Sequence, residues 1–230
     1  MNPVLKRTLT GLTIGLVVVA AALYAPPISF VWVFGSLVIL AVVEFATLLN
    51  IKLPMFSLRG FPLLCLGALV IACGLWAMPM IASRYDNQMC GAFRHGNVML
   101  LYVIMIVKFS DVGGFAFGLT SARLMKGGNH KMCPSISPGK SWEGMAGSIF
   151  ASCLVSCCFM GATGFGLGKS AAIGVMAAVI GTAGDLVESK FKRWVGVKDS
   201  STMKITNGMG GLLDMFDSLI FAPAAIYAFL

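Results

Sequence analysis

Long apolar stretches, each close to twenty residues, dominate this chain of 230 residues. A helix needs about 20 mainly apolar residues to cross the hydrocarbon of a bilayer. Seven segments meet that requirement: 8–25, 28–49, 60–81, 97–119, 144–166, 170–187 and 209–230. Charged residues make up only 11% of the chain, whereas about 25% is usual in water-soluble domains. The sequence therefore predicts an all-α, polytopic integral membrane protein with about seven transmembrane helices.

Lysine and arginine are distributed unevenly between the two ends of these segments. With a cytoplasmic N-terminus, thirteen of the 17 basic residues fall on the cytoplasmic side and Lys108 falls inside the fourth segment. Only Arg84, Arg94 and Lys169 fall on the other side. Because short loops rich in Lys and Arg stay in the cytoplasm, we expect a cytoplasmic N-terminus. We expect segment 8–25 to be a retained helix rather than a signal peptide, since no clear small-residue cleavage site follows it.

Most of the nine acidic residues lie near the cytoplasmic ends of the predicted helices, and Asp86 alone is extracytoplasmic. A carboxylate inside a bilayer is costly and is usually paired or functional. For Glu44 and for Asp111, which lies three residues after Lys108 on one helical face, a structural role and a functional role both stay open. Asp185, Asp214 and Asp217, which come from two separate segments, are better explained by function.

Two basic loops, 120–142 and 188–204, lie on the same side of the membrane as these carboxylates. Carboxylates bind Mg²⁺, Mg²⁺ binds phosphates, and Lys or Arg neutralises the remaining phosphate charge. The pattern predicts a site where a nucleoside triphosphate meets a lipid phosphate. No G-x-x-x-x-G-K-[ST] loop is present, and Gly113, Gly114 and Gly118 are assigned to helix packing. The seven cysteines form no C-x-x-C pair and are expected to be small core residues.

Five short motifs, dense between residues 110 and 218, occur together along the chain. They are Glu44-Phe45, the stretch 110–115 (SDVGGF), the stretch 137–144 (SPGKSWEG), the stretch 184–189 (GDLVES), and a C-terminal pattern with Lys192-Arg193, Lys198-Asp199, Gly210-Gly211-Leu212-Leu213-Asp214 and Asp217. This set resembles the signature of the phosphatidate cytidylyltransferases, also called CDP-diacylglycerol synthases. The chain departs from the family pattern at Met209, where His is usual, and at Met215, where Arg is usual. The loop from Lys198 to Asp214 is also about two residues longer.

The resemblance implies transfer of the cytidylyl group of CTP to phosphatidate, which forms CDP-diacylglycerol and pyrophosphate for phospholipid biosynthesis. It implies Mg²⁺, with a second metal ion left open, and the metal ligands Asp185, Asp214 and Asp217. The catalytic residues that it implies are Asp185, Asp214, Lys192, Arg193 and Lys198. The substrate-binding residues that it implies are Ser137, Lys140, Ser141, Glu143, Asp111, Ser189, Asp199, Gly210 and Gly211.

The same resemblance implies a single membrane domain, 1–230, in which 1–96 supplies N-terminal helices and 97–230 carries the catalytic motifs. The expected location is a bacterial-type cytoplasmic membrane, with the active site on the cytoplasmic side. Expected partners are CTP, phosphatidate and membrane lipids, without nucleic acid, and a homodimer is left open. Two alternatives stay open: a non-catalytic relative, suggested by Met209 and Met215, and a transporter that uses the same intramembrane carboxylates.

Overall fold

The computed structural model describes residues 15–54, 57–125, 127–197 and 211–230. Within these ranges the chain forms eight helices and two short β-hairpins. In chain order they are α1 Gly15–Tyr24, α2 Pro27–Lys52, α3 Gly60–Arg84, β1 Met89–Cys90, β2 Phe93–Arg94, α4 His95–Leu124, β3 Lys131–Cys133, β4 Ser137–Ser141, α5 Trp142–Cys158, α6 Met160–Thr163, α7 Leu167–Val195 and α8 Leu212–Phe229. Both hairpins are antiparallel. The predicted all-α class is confirmed, because the strands have only two to five residues.

Five helices, α2, α3, α4, α7 and α8, are long and apolar enough to cross a membrane. Two shorter apolar helices accompany them: α1, described over Gly15–Tyr24, and α5, with 17 residues. Each of the seven predicted segments overlaps one of these helices. The chain is therefore a multi-pass membrane protein.

Two predicted boundaries differ from the structure by eight residues each, more than any other. The fifth segment was expected to end at residue 166, but α5 ends at Cys158 and the short α6 follows, closing at Gly164 with a left-handed φ of 72°. The sixth segment was expected to give way to a basic loop after residue 187, yet α7 continues to Val195. The ion pair between Glu188 and Lys192 (3.3 Å) joins successive turns of this extension. Gly196, with φ 90°, caps it.

Helix α5 packs closely between α4 and α7. Gly113 on α4 lies against the backbone of Gly147 on α5, which confirms the predicted packing role of the α4 glycines. On the other side of α5, Ser152 Oγ donates to the Gly174 carbonyl of α7 at 2.8 Å. Ser156 Oγ donates to the Ser170 carbonyl at 2.7 Å. These contacts fix the relative position of three helices.

The N-terminus of α8 is held by a carboxylate from α2. Glu44 is buried, and its Oε2 accepts the backbone N–H groups of Leu212 (2.8 Å) and Leu213 (3.1 Å). The first amides of a helix lack intrahelical partners and favour negative charge. Phe45, the next residue on α2, stacks on Phe191 of α7 with ring centroids 4.8 Å apart. The Glu44-Phe45 motif thus joins α2 to the C-terminal part of α7 and to the N-terminus of α8.

The seven cysteines are all free thiols. Their predicted place in the core is wrong for Cys65, Cys73 and Cys158, which lie on exposed helix faces. A cysteine on such a face contacts lipid, and a small apolar side chain is tolerated there as well as in a core.

Candidate active site

A cavity of about 420 Å³ lies between α4, α5, α7, α8 and the β3–β4 hairpin. Seven of the sequence-predicted residues line it: Asp111, Ser137, Lys140, Ser141, Asp185, Asp214 and Asp217. They come from four separate elements, and the sequence separation between the first and the last exceeds one hundred residues. The described fold therefore brings seven of the fifteen predicted site residues together in one place.

Lysines on different elements neutralise the carboxylates of α7 and α8. Lys140 Nζ, from β4, donates to Asp185 Oδ2 at 2.5 Å and to the Thr182 carbonyl at 3.2 Å. Lys192 forms ion pairs with both Asp214 and Glu188. The backbone N–H of Gly211 donates to Asp214 Oδ2 at 3.2 Å, so Asp214 also closes the first turn of α8.

A third lysine joins α4 to α8. Lys108 Nζ lies 3.5 Å from Asp111 Oδ2, which confirms the pairing suggested by their spacing. It also donates to the Met215 carbonyl at 3.2 Å and to Ser218 Oγ at 3.5 Å. Ser218 Oγ donates in turn to Asp111 Oδ2 at 3.0 Å. Asp111 is thus part of a polar network that connects two membrane helices.

The carboxyl groups of Asp185 and Asp217 line the same cavity and are close enough to interact electrostatically. Asp185 Oδ1 is buried, and no N–H or hydroxyl group of the described residues donates to it. Two carboxylates this close repel each other unless a proton or a cation lies between them. Oxygen ligands of this kind suit Mg²⁺, which is commonly bound through one or two carboxylates together with substrate phosphates.

The net charge of the described site also fits a divalent cation. Five carboxylates face three lysines: Asp111, Asp185, Glu188, Asp214 and Asp217 against Lys108, Lys140 and Lys192. With all of them ionised, the site has an excess of two negative charges, which one divalent cation would balance. No group of three His, Cys, Asp or Glu side chains among the described residues is close enough to hold one ion by itself. These carboxylates therefore fit a cation whose remaining coordination positions are filled by phosphate oxygens or by water.

Several predicted residues lie outside the cavity wall. Glu143 instead accepts a hydrogen bond from His130, with Nδ1 and Oε1 2.6 Å apart, and so ties the loop before β3 to α5. Arg193 is exposed and donates to the Val197 carbonyl at 3.4 Å. Ser189 is half-buried on α7, away from the lining residues. Lys192 and Gly211 contact the cavity only through Asp214. Lys198, Asp199 and Gly210 lie outside the described residues.

Ser141 lines the cavity but has a structural task as well. Its Oγ accepts the Gly144 N–H at 3.1 Å and caps the N-terminus of α5. The end of α5 with its positive partial charge therefore faces the cavity, where it favours an anion.

Sequence reasoning missed Thr182, Ser148 and Phe115 as lining residues, and it treated Lys108 only as a partner of Asp111. Helical spacing could have indicated two of them, since Thr182 precedes Asp185 by one turn and Ser148 follows Gly144 by one turn.

Comparison with known proteins agrees with these features. Residues 69–230 match the model of the cytidylyltransferase family. A Staphylococcus aureus (strain COL) protein named phosphatidate cytidylyltransferase is 41% identical over 124 residues, which are 53% of this chain and 45% of the relative. A Mycobacterium bovis protein of the same name is 29% identical over 276 aligned residues, covering 96% of this chain and 85% of the relative. The chain thus matches about half the length of the staphylococcal relative. Because the family match covers well over half of the chain, the chain belongs to the cytidylyltransferase family.

Proposed function

We propose that this protein transfers the cytidylyl group of CTP to phosphatidate, giving CDP-diacylglycerol and pyrophosphate. The observation that carries the proposal is the cavity in which Asp185, Asp214 and Asp217 meet Lys140 beside the N-terminus of α5. Such a site can hold two polyanions together, which is the main difficulty of this reaction. The names of the matching relatives support the same substrates.

The reaction needs little acid–base chemistry from the protein. A phosphate monoester loses its second proton with a pKa of about 6, so the lipid phosphate is a ready nucleophile at neutral pH. Its oxygen forms a bond to the α-phosphorus of CTP, the bond from that phosphorus to the β-bridging oxygen breaks, and pyrophosphate leaves with the electron pair. Catalysis of this kind depends on positioning and on electrostatic stabilisation.

Different described residues carry out the positioning and the electrostatic stabilisation. Lys140 and the Ser137 hydroxyl, on the β4 wall, contact phosphate oxygens of the nucleotide, and the N-terminus of α5 favours their negative charge. Lys192 lies behind Asp214 and neutralises charge on the leaving pyrophosphate. When phosphates enter, the lysines exchange their carboxylate partners for phosphate oxygens, and the carboxylates become available as ligands.

Mg²⁺ is part of the proposal. When bound, it would supply positive charge to the phosphate oxygens and to the leaving group. Asp185 and Asp217 would hold it together with phosphate oxygens and waters, consistent with the excess of negative charge and with Asp185 Oδ1, to which no described N–H or hydroxyl group donates. Asp214 as a direct ligand stays a prediction. A second metal ion stays a prediction.

We also propose the finer topology. Seven transmembrane helices, a cytoplasmic N-terminus and a cavity on the cytoplasmic side of a bacterial-type cytoplasmic membrane agree with the distribution of basic residues. Homodimer formation stays a prediction, which the molecular mass of the protein in a lipid nanodisc would test.

The direct test uses purified protein in detergent with labelled CTP, Mg²⁺ and phosphatidate, scored for labelled CDP-lipid and for pyrophosphate in equal amount. Asp185→Asn should lower the rate by at least about 100-fold, the size expected when an electrostatic contributor is removed. Asp86→Asn is the control, because Asp86 pairs with Arg94 at the end of the helices opposite to the cavity. Chelation of the metal should abolish turnover, and added Mg²⁺ should restore it.

Absence of product from the wild-type protein would contradict the proposal, and so would full activity of Asp185→Asn. The same assay separates an enzyme from the two alternatives. A transporter or a non-catalytic relative would form no CDP-lipid in detergent, where no gradient exists.

A further inference from the structure

Lys108 lies where the polar cavity meets the apolar outer surface of the protein. It is near the middle of α4, about 24 Å from the C-terminal end of that helix at 1.5 Å per residue. A cation so far inside a membrane helix is a functional candidate by default. Its side chain lines the cavity, yet 39% of its surface remains accessible.

An exposed apolar stripe continues from Lys108 along the same face of α4. It consists of Val112, Phe115 and Leu119, which follow Lys108 at intervals of three to four residues. Phe115 is 72% exposed and also lines the cavity, so the polar and apolar surfaces are continuous. This junction gives a lipid phosphate a route from the apolar outer surface into the polar cavity.

The three lysines of the site differ in how tightly they are held. The Lys140 side chain is 22% exposed and the Lys192 side chain 12%, and each makes a short contact to a carboxylate. Lys108 is more accessible, and its three contacts lie at 3.2 to 3.5 Å. Its longer contacts and greater accessibility make Lys108 the lysine of the site that can most readily exchange Asp111 for a doubly charged phosphate.

Lys108 also contacts the first turns of α8. Its Nζ donates to the Met215 carbonyl, so a cation lies beside the part of α8 that carries Asp214 and Asp217.

Resting on the proposed function, we infer that Lys108 binds the phosphate of the lipid substrate, which enters the cavity sideways from the apolar surface beside Phe115. Lys140 and Lys192, which belong to the hairpin and to the cytoplasmic end of α7, serve the nucleotide instead. The two substrates then approach the reaction centre from different sides, the nucleotide from water and the lipid from the bilayer.

The test measures the two KM values separately, with phosphatidate in mixed micelles. Lys108→Met keeps the length of the side chain and removes the charge. It should raise KM for phosphatidate by about 10- to 100-fold, the size expected for one lost hydrogen bond between charged groups, and leave KM for CTP within about twofold. Lys108→Arg should restore most of the lipid affinity. Lys169→Met is the matched control, because Lys169 lies over the Phe165 ring, away from the cavity.

A purely structural role for Lys108 predicts a different result: Lys108→Met would lower the thermal unfolding temperature and leave KM for phosphatidate unchanged. That result would overturn the inference, as would an equal rise in both KM values. If Lys108→Met is not recovered in folded form, Phe115→Ala provides the test. It should raise KM for long-chain phosphatidate but not for the water-soluble dihexanoyl form, and an equal effect on both would overturn the inference. Failure of the proposed function itself is recognised separately, since the wild-type protein would then make no CDP-lipid.

Discussion

At the scale of single residues, the lysines of the site form ion pairs with its own carboxylates. A buried charge without a partner costs several kcal/mol, and here lysines contact Asp111, Asp185 and Asp214, the last two from other elements. The same lysines are the groups that phosphates need. Exchange of partners therefore lets an apolar environment hold many charges before substrate arrives and still bind a polyanion afterwards.

The nucleotide side of this exchange depends on Lys140. Lys140→Met removes the cation that contacts Asp185 and the Thr182 carbonyl. We expect KM for CTP to rise by about 10- to 100-fold, because a charge-assisted hydrogen bond is lost. Steady-state kinetics with saturating phosphatidate would measure the change. Lys131→Met, an exposed lysine of the same hairpin, is the control, and an equal effect of both variants would point to general charge rather than to a contact.

At the scale of elements, the orientation of each helix decides which residues of a motif reach the cavity. Residues 141, 144, 145 and 148 of the β4–α5 segment line it, and they recur at the spacing of one helical face. Glu143 belongs to the same motif but faces away from the cavity, towards His130. A motif in the sequence therefore marks a segment, whereas the helical period selects the residues that line the cavity.

The capping of α8 by Glu44 gives a prediction at this scale. Glu44→Ala removes the acceptor of two backbone N–H groups and should lower the free energy of unfolding by about 1–3 kcal/mol, the cost of leaving buried donors without partners. Glu44→Gln keeps an acceptor oxygen and should lose less. Thermal unfolding in detergent would measure both.

Activity should fall with stability in the two Glu44 variants, because the turn that carries Asp214 and Asp217 begins at the capped amides. Asp86→Asn, at an accessible ion pair, should change the unfolding temperature little. If Glu44→Ala unfolded at the wild-type temperature and kept full activity, Glu44 would have no part in positioning α8.

At the scale of the whole molecule, the sequence predicts how deep a residue lies in the membrane better than it predicts which way its side chain faces. Counting residues along apolar segments places Asp111, Asp185 and Asp214 at similar levels in the membrane, and the structure confirms that they share a cavity. The count could not reveal that Glu44 caps α8 or that Lys108 faces the cavity, since both depend on the rotation of a helix about its axis. It also missed the extension of α7, which the Glu188–Lys192 ion pair supports beyond the apolar segment.

The orientation of the whole protein in the membrane gives the last prediction. The uneven distribution of basic residues places the loop between α4 and β3 in the cytoplasm and the loop between α3 and β1 outside. In a cysteine-free variant that retains activity, Gly127→Cys and Asn87→Cys would report these two loops, since both positions are exposed. A membrane-impermeant maleimide should label Asn87→Cys only in right-side-out vesicles and Gly127→Cys only in inverted ones. The reverse pattern would put the cavity on the side without CTP, and the proposed reaction could not then take place in the cell.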